Sequence, residues 1–66
     1  MLDTLFEVRG NKYMFSKIIN LWGDEEISLY ENGEILGYLK TEKYSVEEAE
    51  KEILENENFK ESDLII

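Results

Sequence analysis

The chain contains no cysteine, no histidine and no proline. Without cysteine there is neither a disulfide nor a thiolate ligand, and without histidine a zinc site would have to be assembled from carboxylates alone. The same two absences remove the usual nucleophile and the usual general base, so catalysis would rest on a carboxylate pair with pKa values shifted by burial. The lack of proline, with four glycines that stand singly, leaves no linker, repeat or low-complexity tract to divide the chain. Long apolar runs are missing too. Nothing approaches the roughly 18 residues of a membrane-spanning helix, and Met1-Leu2-Asp3-Thr4 lacks the basic region and apolar stretch of a secretion signal. A cytoplasmic protein is expected, with no metal and no cofactor.

Positive charge is scarce: seven bases face sixteen acids, for a net charge of −9. Residues 1–20 carry two acids and three bases, residues 21–41 five and one, and residues 42–66 nine and three, so the negative field belongs to the last two-thirds. Proteins that grip nucleic acid do so with lysine and arginine that displace counterions from phosphates; this balance would instead repel a duplex or an anionic membrane. Basic proteins, including those that themselves bind nucleic acid, are attracted.

What is present suffices for a core. The 66 residues are 42% hydrophobic and include Trp22, four tyrosines and three phenylalanines, too many large apolar groups for a disordered polyanion. They make one domain, residues 1–66, with no room for a second core. Small chains often gain stability from disulfides, metals or partner subunits, and here only self-association remains open.

The clearest local signal lies in residues 27–39, where Asn32-Gly33 separates two β-rich segments. Asn-Gly suits the two positive φ values of a type I′ turn, whose twist matches that of the strands it joins. With a two-residue loop, Leu29 faces Leu36 and Ile27 faces Tyr38 on the core side, while Tyr30 faces Ile35 and Ser28 faces Gly37 on the other. Upstream, Leu5-Phe6-Glu7-Val8-Arg9 alternates, Gly10-Asn11 offers a turn, and residues 12–19 continue with aromatic and β-branched side chains, which reads as a first hairpin. A helix over residues 12–21 competes, because Met14, Ile18 and Leu21, with Phe15, Ile19 and Trp22, keep helical spacing and Gly23 could end it. The strand reading is preferred.

Ser45 and Glu48 stand in the relation of a capping box and open a helix expected over residues 46–55, with Val46, Ala49, Ile53 and Leu54 as its apolar stripe. Asn56 or Asn58 is expected to end it in the left-handed conformation, and Leu64-Ile65-Ile66 to form a short final strand or to dock. The expected fold is therefore α+β: an antiparallel meander of about four short strands in two hairpins, covered on one face by a helix near the C-terminus. Tyr30, Ile35 and Leu39 are expected to line the uncovered face.

The chemistry this order can present is limited. Gly10, Gly23, Gly33 and Gly37 match no phosphate-binding pattern, and Asp24-Glu25-Glu26 lacks the alternation and central glycine of a calcium loop, so it reads as a polar turn. The carboxylates are predicted on a helix exterior and in turns, where they are solvated; no enzyme is expected. Glu47, Glu48, Glu52 and Glu55, with Asp24, Glu25 and Glu26, form a candidate acidic surface. Such a surface either solubilises or imitates phosphates in the groove of a basic protein. Tyr30, Ile35, Leu39 and Trp22 are the candidate apolar anchors, since aromatic side chains commonly centre interfaces.

Tyr44-Ser45-Val46-Glu47-Glu48-Ala49 after a meander resembles the start of the helix in HicB-type antitoxin domains, which implies a β-β-β-α-β order. That family's Pro/Gly-Cys stretch before the helix is absent, and no toxin partner or binding residue carries over. Gly37-Tyr38-Leu39-Lys40-Thr41 after a short-strand hairpin is similar to the arm-binding domains of phage integrases, whose sheets are basic where this chain is acidic. Neither resemblance names a family. The expected function is that of a small acidic binding or regulatory protein, a phage or mobile-element inhibitor acting on a basic, nucleic-acid-binding host protein by charge mimicry. The alternative is a self-associating module that forms a homodimer through its second sheet face.

Overall fold

The computed structural model describes residues 2–66. Four antiparallel strands pair in the order β1-β2-β3-β4: β1 is Phe6–Val8, β2 Asn11–Ile19, β3 Glu25–Glu31 and β4 Glu34–Tyr38. The helix α1 spans Val46–Glu55, and a single 3-10 turn, Phe59–Glu61, follows it. This is the α+β meander with a C-terminal helix that the sequence predicts.

Residues 11–19 are strand, not helix, because period two buries the large side chains and period 3.6 would not. Tyr13 and Phe15 are buried on the helix-facing side, with Phe15 opposite Leu29, whereas Leu21, an anchor of the helical pattern, is 95% exposed. The β1–β2 turn is Arg9-Gly10, with φ of 51° and 80°, one residue earlier than Gly10-Asn11. That register pairs Phe6 with Tyr13 and so aligns their rings, 5.8 Å apart, on the core side.

Asn32-Gly33 forms the expected turn, with φ of 52° and 87°, and Tyr30 pairs with Ile35. The register then slips by one. Leu29 faces Gly37 rather than Leu36, and Ser28 faces Tyr38, so Leu36 is the extra residue of a β-bulge. Alternation along β4 is reversed beyond that point. Tyr38 therefore turns to the outer face, and Leu39, expected there beside Tyr30 and Ile35, is only 4% exposed and belongs to the core.

The capping box of α1 is complete: the Ser45 Oγ accepts from Glu48 N at 3.2 Å and Glu48 Oε1 accepts from Ser45 N at 3.0 Å. Ala49 and Ile53 are fully buried, Val46 half-buried, and Leu54, assigned to the apolar stripe, is 48% exposed. The far end differs from expectation. Asn56 and Asn58 have φ of −123° and −102°, so neither is left-handed. The last carbonyls are taken instead by the Arg9 guanidinium, which reaches from the β1–β2 turn to the carbonyl oxygens of Ile53, Leu54 and Asn56.

Leu64-Ile65-Ile66 docks and also pairs. One antiparallel bridge joins Ile65 to Leu39, Ile66 N donates to the Tyr38 carbonyl at 2.8 Å, and Leu64 is fully buried. The core thus gathers Tyr13, Phe15, Leu29 and Leu39 from the sheet with Ala49, Ile53, Phe59 and Leu64. The Tyr13 and Phe59 rings meet edge to face at 5.5 Å. Above them the Tyr13 hydroxyl donates to Glu31 at 2.7 Å, and Lys60 closes on the same carboxylate at 2.9 Å, fastening the 3-10 turn to the sheet.

Candidate functional site

The β2–β3 hairpin carries the most exposed apolar residues of the chain. Nine residues at about 3.3 Å each make β2 roughly 30 Å long, most of the 36 Å long axis. Its tip is built by Asn20. Gly23 N donates to the Asn20 carbonyl at 3.0 Å, Asn20 N to the Asp24 carbonyl at 2.9 Å, and Gly23 has φ of 83°, the pattern of a three-residue hairpin loop that ends in a left-handed glycine. The Asn20 side chain accepts from the Trp22 and Asp24 amides at 2.9 and 3.0 Å and donates to Glu26 at 2.9 Å. Leu21 and Trp22 occupy the central positions, where Pro, Asp or Ser serve the turn better. Trp22 is 82% exposed, Leu21 more so, and Ile19 is exposed below them.

Tyr30, named as the first apolar anchor, is half-buried. It shares the uncovered face with the exposed Ile35 and Tyr38 and with Met14 and Ile18, around a floor where Ser28 Oγ donates to the Ser16 carbonyl at 3.0 Å. Leu39 is absent from this face for the reason given above.

The candidate acids fall into two groups on separate elements. Asp24 and Glu25 are exposed at the hairpin tip, Glu25 with Lys17 at 3.4 Å, while Glu26 is half-buried and tied to Asn20. Glu25 and Glu26 edge an open groove of about 360 Å³ with Glu42, floored by Tyr38, Leu39 and Ile66. On α1, Glu47 and Glu55 are exposed, Glu48 serves the capping box, and Glu52 accepts from Asn56 Nδ2 at 2.9 Å. Among the described residues no ion pair joins Glu47, Glu48, Glu52 or Glu55 to a base. Four of the seven bases are committed elsewhere, Arg9 to the helix carbonyls, Lys60 to Glu31, and Lys40 and Lys43 to Asp63, while Lys51 stands on α1 beside Glu48, Glu52 and Glu55.

Among the described residues three carboxyls have displaced pKa values, and these are displaced downward. Lys60 and then Tyr13 lower Glu31 by hydrogen bonding; the Ser45 amide lowers Glu48; Lys43 lowers Asp63. Among the described residues no group of three or more acids is placed to hold a metal ion, and no helix is long and apolar enough to cross a membrane.

Sequence reasoning named Trp22 and the tip acids but not Ile19, Leu21 or Asn20. An asparagine followed three residues later by a glycine, between β-rich segments, was the available signal. No family model, no curated protein and no solved structure matches this chain.

Proposed function

We propose that the chain is a small acidic binding protein, a phage or mobile-element inhibitor, that occupies the nucleic-acid groove of a basic partner by imitating phosphate charge. The observation that carries this reading is the acid-rich surface of α1: Glu47 and Glu55 project, exposed, from a capped helix that carries Lys51 as its one base. Carboxylates held on a rigid scaffold lose little entropy on binding and attract a basic groove over several ångströms. The exposed Trp22 adds an apolar anchor at the end of the molecule. A catalytic role is not part of the reading, since a general acid needs a raised carboxyl pKa and the displaced carboxyls move the other way.

The test is capture of proteins from the source cell on wild-type protein and on an Asp24→Asn, Glu47→Gln, Glu55→Gln variant, none of which holds the fold. A basic nucleic-acid-binding protein should be retained by the wild type and displaced by duplex DNA. Its affinity should fall as salt rises, and less steeply for the triple variant. A partner that DNA cannot displace, or that the triple variant binds equally well, refutes the proposal.

A further inference from the structure

β2 is paired with β3 from Tyr13 to Ile19, but on its other side only as far as Phe15. β1 covers Asn11, Lys12 and Tyr13, Leu2 bridges to Phe15, and among the described residues nothing pairs beyond. The direction of each peptide group follows from alternation. Lys12 and Asn20 bond toward β3, through the Asn32 amide and the Asp24 carbonyl, whereas the Phe15 carbonyl accepts from Asp3 on the opposite side at 2.7 Å. Odd-numbered residues of β2 therefore point their N–H and C=O groups away from β3. Lys17 and Ile19 offer two donors and two acceptors along an open edge, beside the exposed Ile19, Leu21 and Trp22.

We infer that this edge pairs with the same edge of a second copy of the chain, antiparallel about a two-fold axis at Ile18. An antiparallel hydrogen-bonded pair needs outward-facing peptides on both strands. Lys17 opposite Ile19 of the second copy satisfies that condition twice, giving four backbone bonds. A register that sets Lys17 against Lys17 forces Ile19 onto Phe15, whose carbonyl is already taken by Asp3. In the inferred register the two Ile18 side chains meet on the axis in a close, non-hydrogen-bonded pair. The axis also carries each hairpin tip, with Leu21 and Trp22, past the second copy's Lys17 toward its residues 2–5, where Leu5 is 64% exposed.

A second copy is favoured over another occupant on two grounds. The edge is complementary to itself in register and in apolar content. It also bears one base, Lys17, and the inferred register sets that base opposite Ile19 of the second copy, next to the Glu25 that pairs with Ile19. An unpaired strand edge next to apolar side chains is a template for pairing, and Lys17 alone does little to block it. The dimer leaves the α1 acids uncovered but draws on the hairpin tip, whose Trp22 the proposed function also uses; sedimentation and amide exchange test it without reference to any basic partner.

Analytical ultracentrifugation and amide exchange test the inference. The wild type should sediment at twice the 7.8 kDa chain mass, with the Lys17 and Ile19 amides protected and their protection lost on dilution. Ile19→Pro removes an N–H that faces away from β3, a position where an edge strand tolerates proline, so the variant should keep the β-sheet signal and sediment as a monomer. Tyr30→Ser, on the uncovered sheet face, should leave the mass doubled. A wild type that stays monomeric up to millimolar concentration, unprotected Lys17 and Ile19 amides in a dimer, or a dimer dispersed by Tyr30→Ser overturns the inference. The exchange measurement needs no variant and decides the matter if Ile19→Pro fails to fold.

Discussion

Replacing Arg9 separates two opposed effects that the structure places on one residue. Its backbone sits at φ 51°, where a side chain costs about 1 kcal/mol relative to glycine. Its guanidinium meanwhile donates to three carbonyls at the end of α1, a helix with no base in its last turn. Charge-assisted bonds are worth about 1.5–3 kcal/mol when buried, but Arg9 is exposed, and a solvated cation at a helix C-terminus is worth nearer 1. Taking about 1–2 kcal/mol for the cap, Arg9→Ala keeps the backbone strain and loses the whole of it. Arg9→Gly loses the cap and relieves the strain, for a net loss of about 1 kcal/mol or less. Against the roughly 3–5 kcal/mol expected of so small a core, both are measurable. Urea unfolding should be followed by far-ultraviolet circular dichroism, because Trp22 is 82% exposed and its emission will change little. The expected order is wild type, then glycine, then alanine, with similar m-values. An alanine variant as stable as the wild type, or more stable than the glycine variant, refutes the cap.

The Tyr13–Glu31–Lys60 cluster predicts a loss of stability at both extremes of pH. Glu31 is held below the ordinary carboxylate range, so its contribution is complete above about pH 4.3 and disappears as pH falls through the lower folded value. Glu31→Gln should flatten that acid limb in urea midpoints measured against pH, and an unchanged limb would show that other groups cause it. Tyr13 is pushed up to about 12, chiefly by burial and then by Glu31, so folding stability present below about pH 10 is lost between there and 12. Phenolate absorbance should show a step near that value, and Tyr13→Phe should remove it. Gly37→Ala addresses the docking of residues 64–66, since a Cβ there would overlap the Ile66 carbonyl oxygen. It should cost about 1–3 kcal/mol and speed exchange of the Ile66 and Lys40 amides, which bond across that junction. Unaltered exchange would mean that the segment shifts without loss.

The features legible in the sequence are those encoded within a few consecutive residues. Ser45 and Glu48 specify the start of α1 because both partners of the capping box lie within one turn, and Asn32-Gly33 specifies its hairpin because the two φ values belong to adjacent residues. The register of β4 was not legible, because the bulge at Leu36 has no local cause. It brings Leu39 under α1 beside Leu64 and sets Gly37 against the Ile66 backbone, contacts made by residues about 25 positions later. The end of α1 was hidden for the same reason, being completed by Arg9 some 44 residues earlier. The candidate site divides along this line too. The acids of α1 follow from helical spacing once Ser45 fixes the start, but the exposure of Trp22 depends on Asn20 closing a loop that the competing helical spacing obscured. In a domain this small most aromatic side chains are core, and the sequence offers Trp22 as a contact residue only by its place beside Gly23. Its solvent exposure is what turns it from a packing residue into a contact residue, and tertiary structure alone decides that.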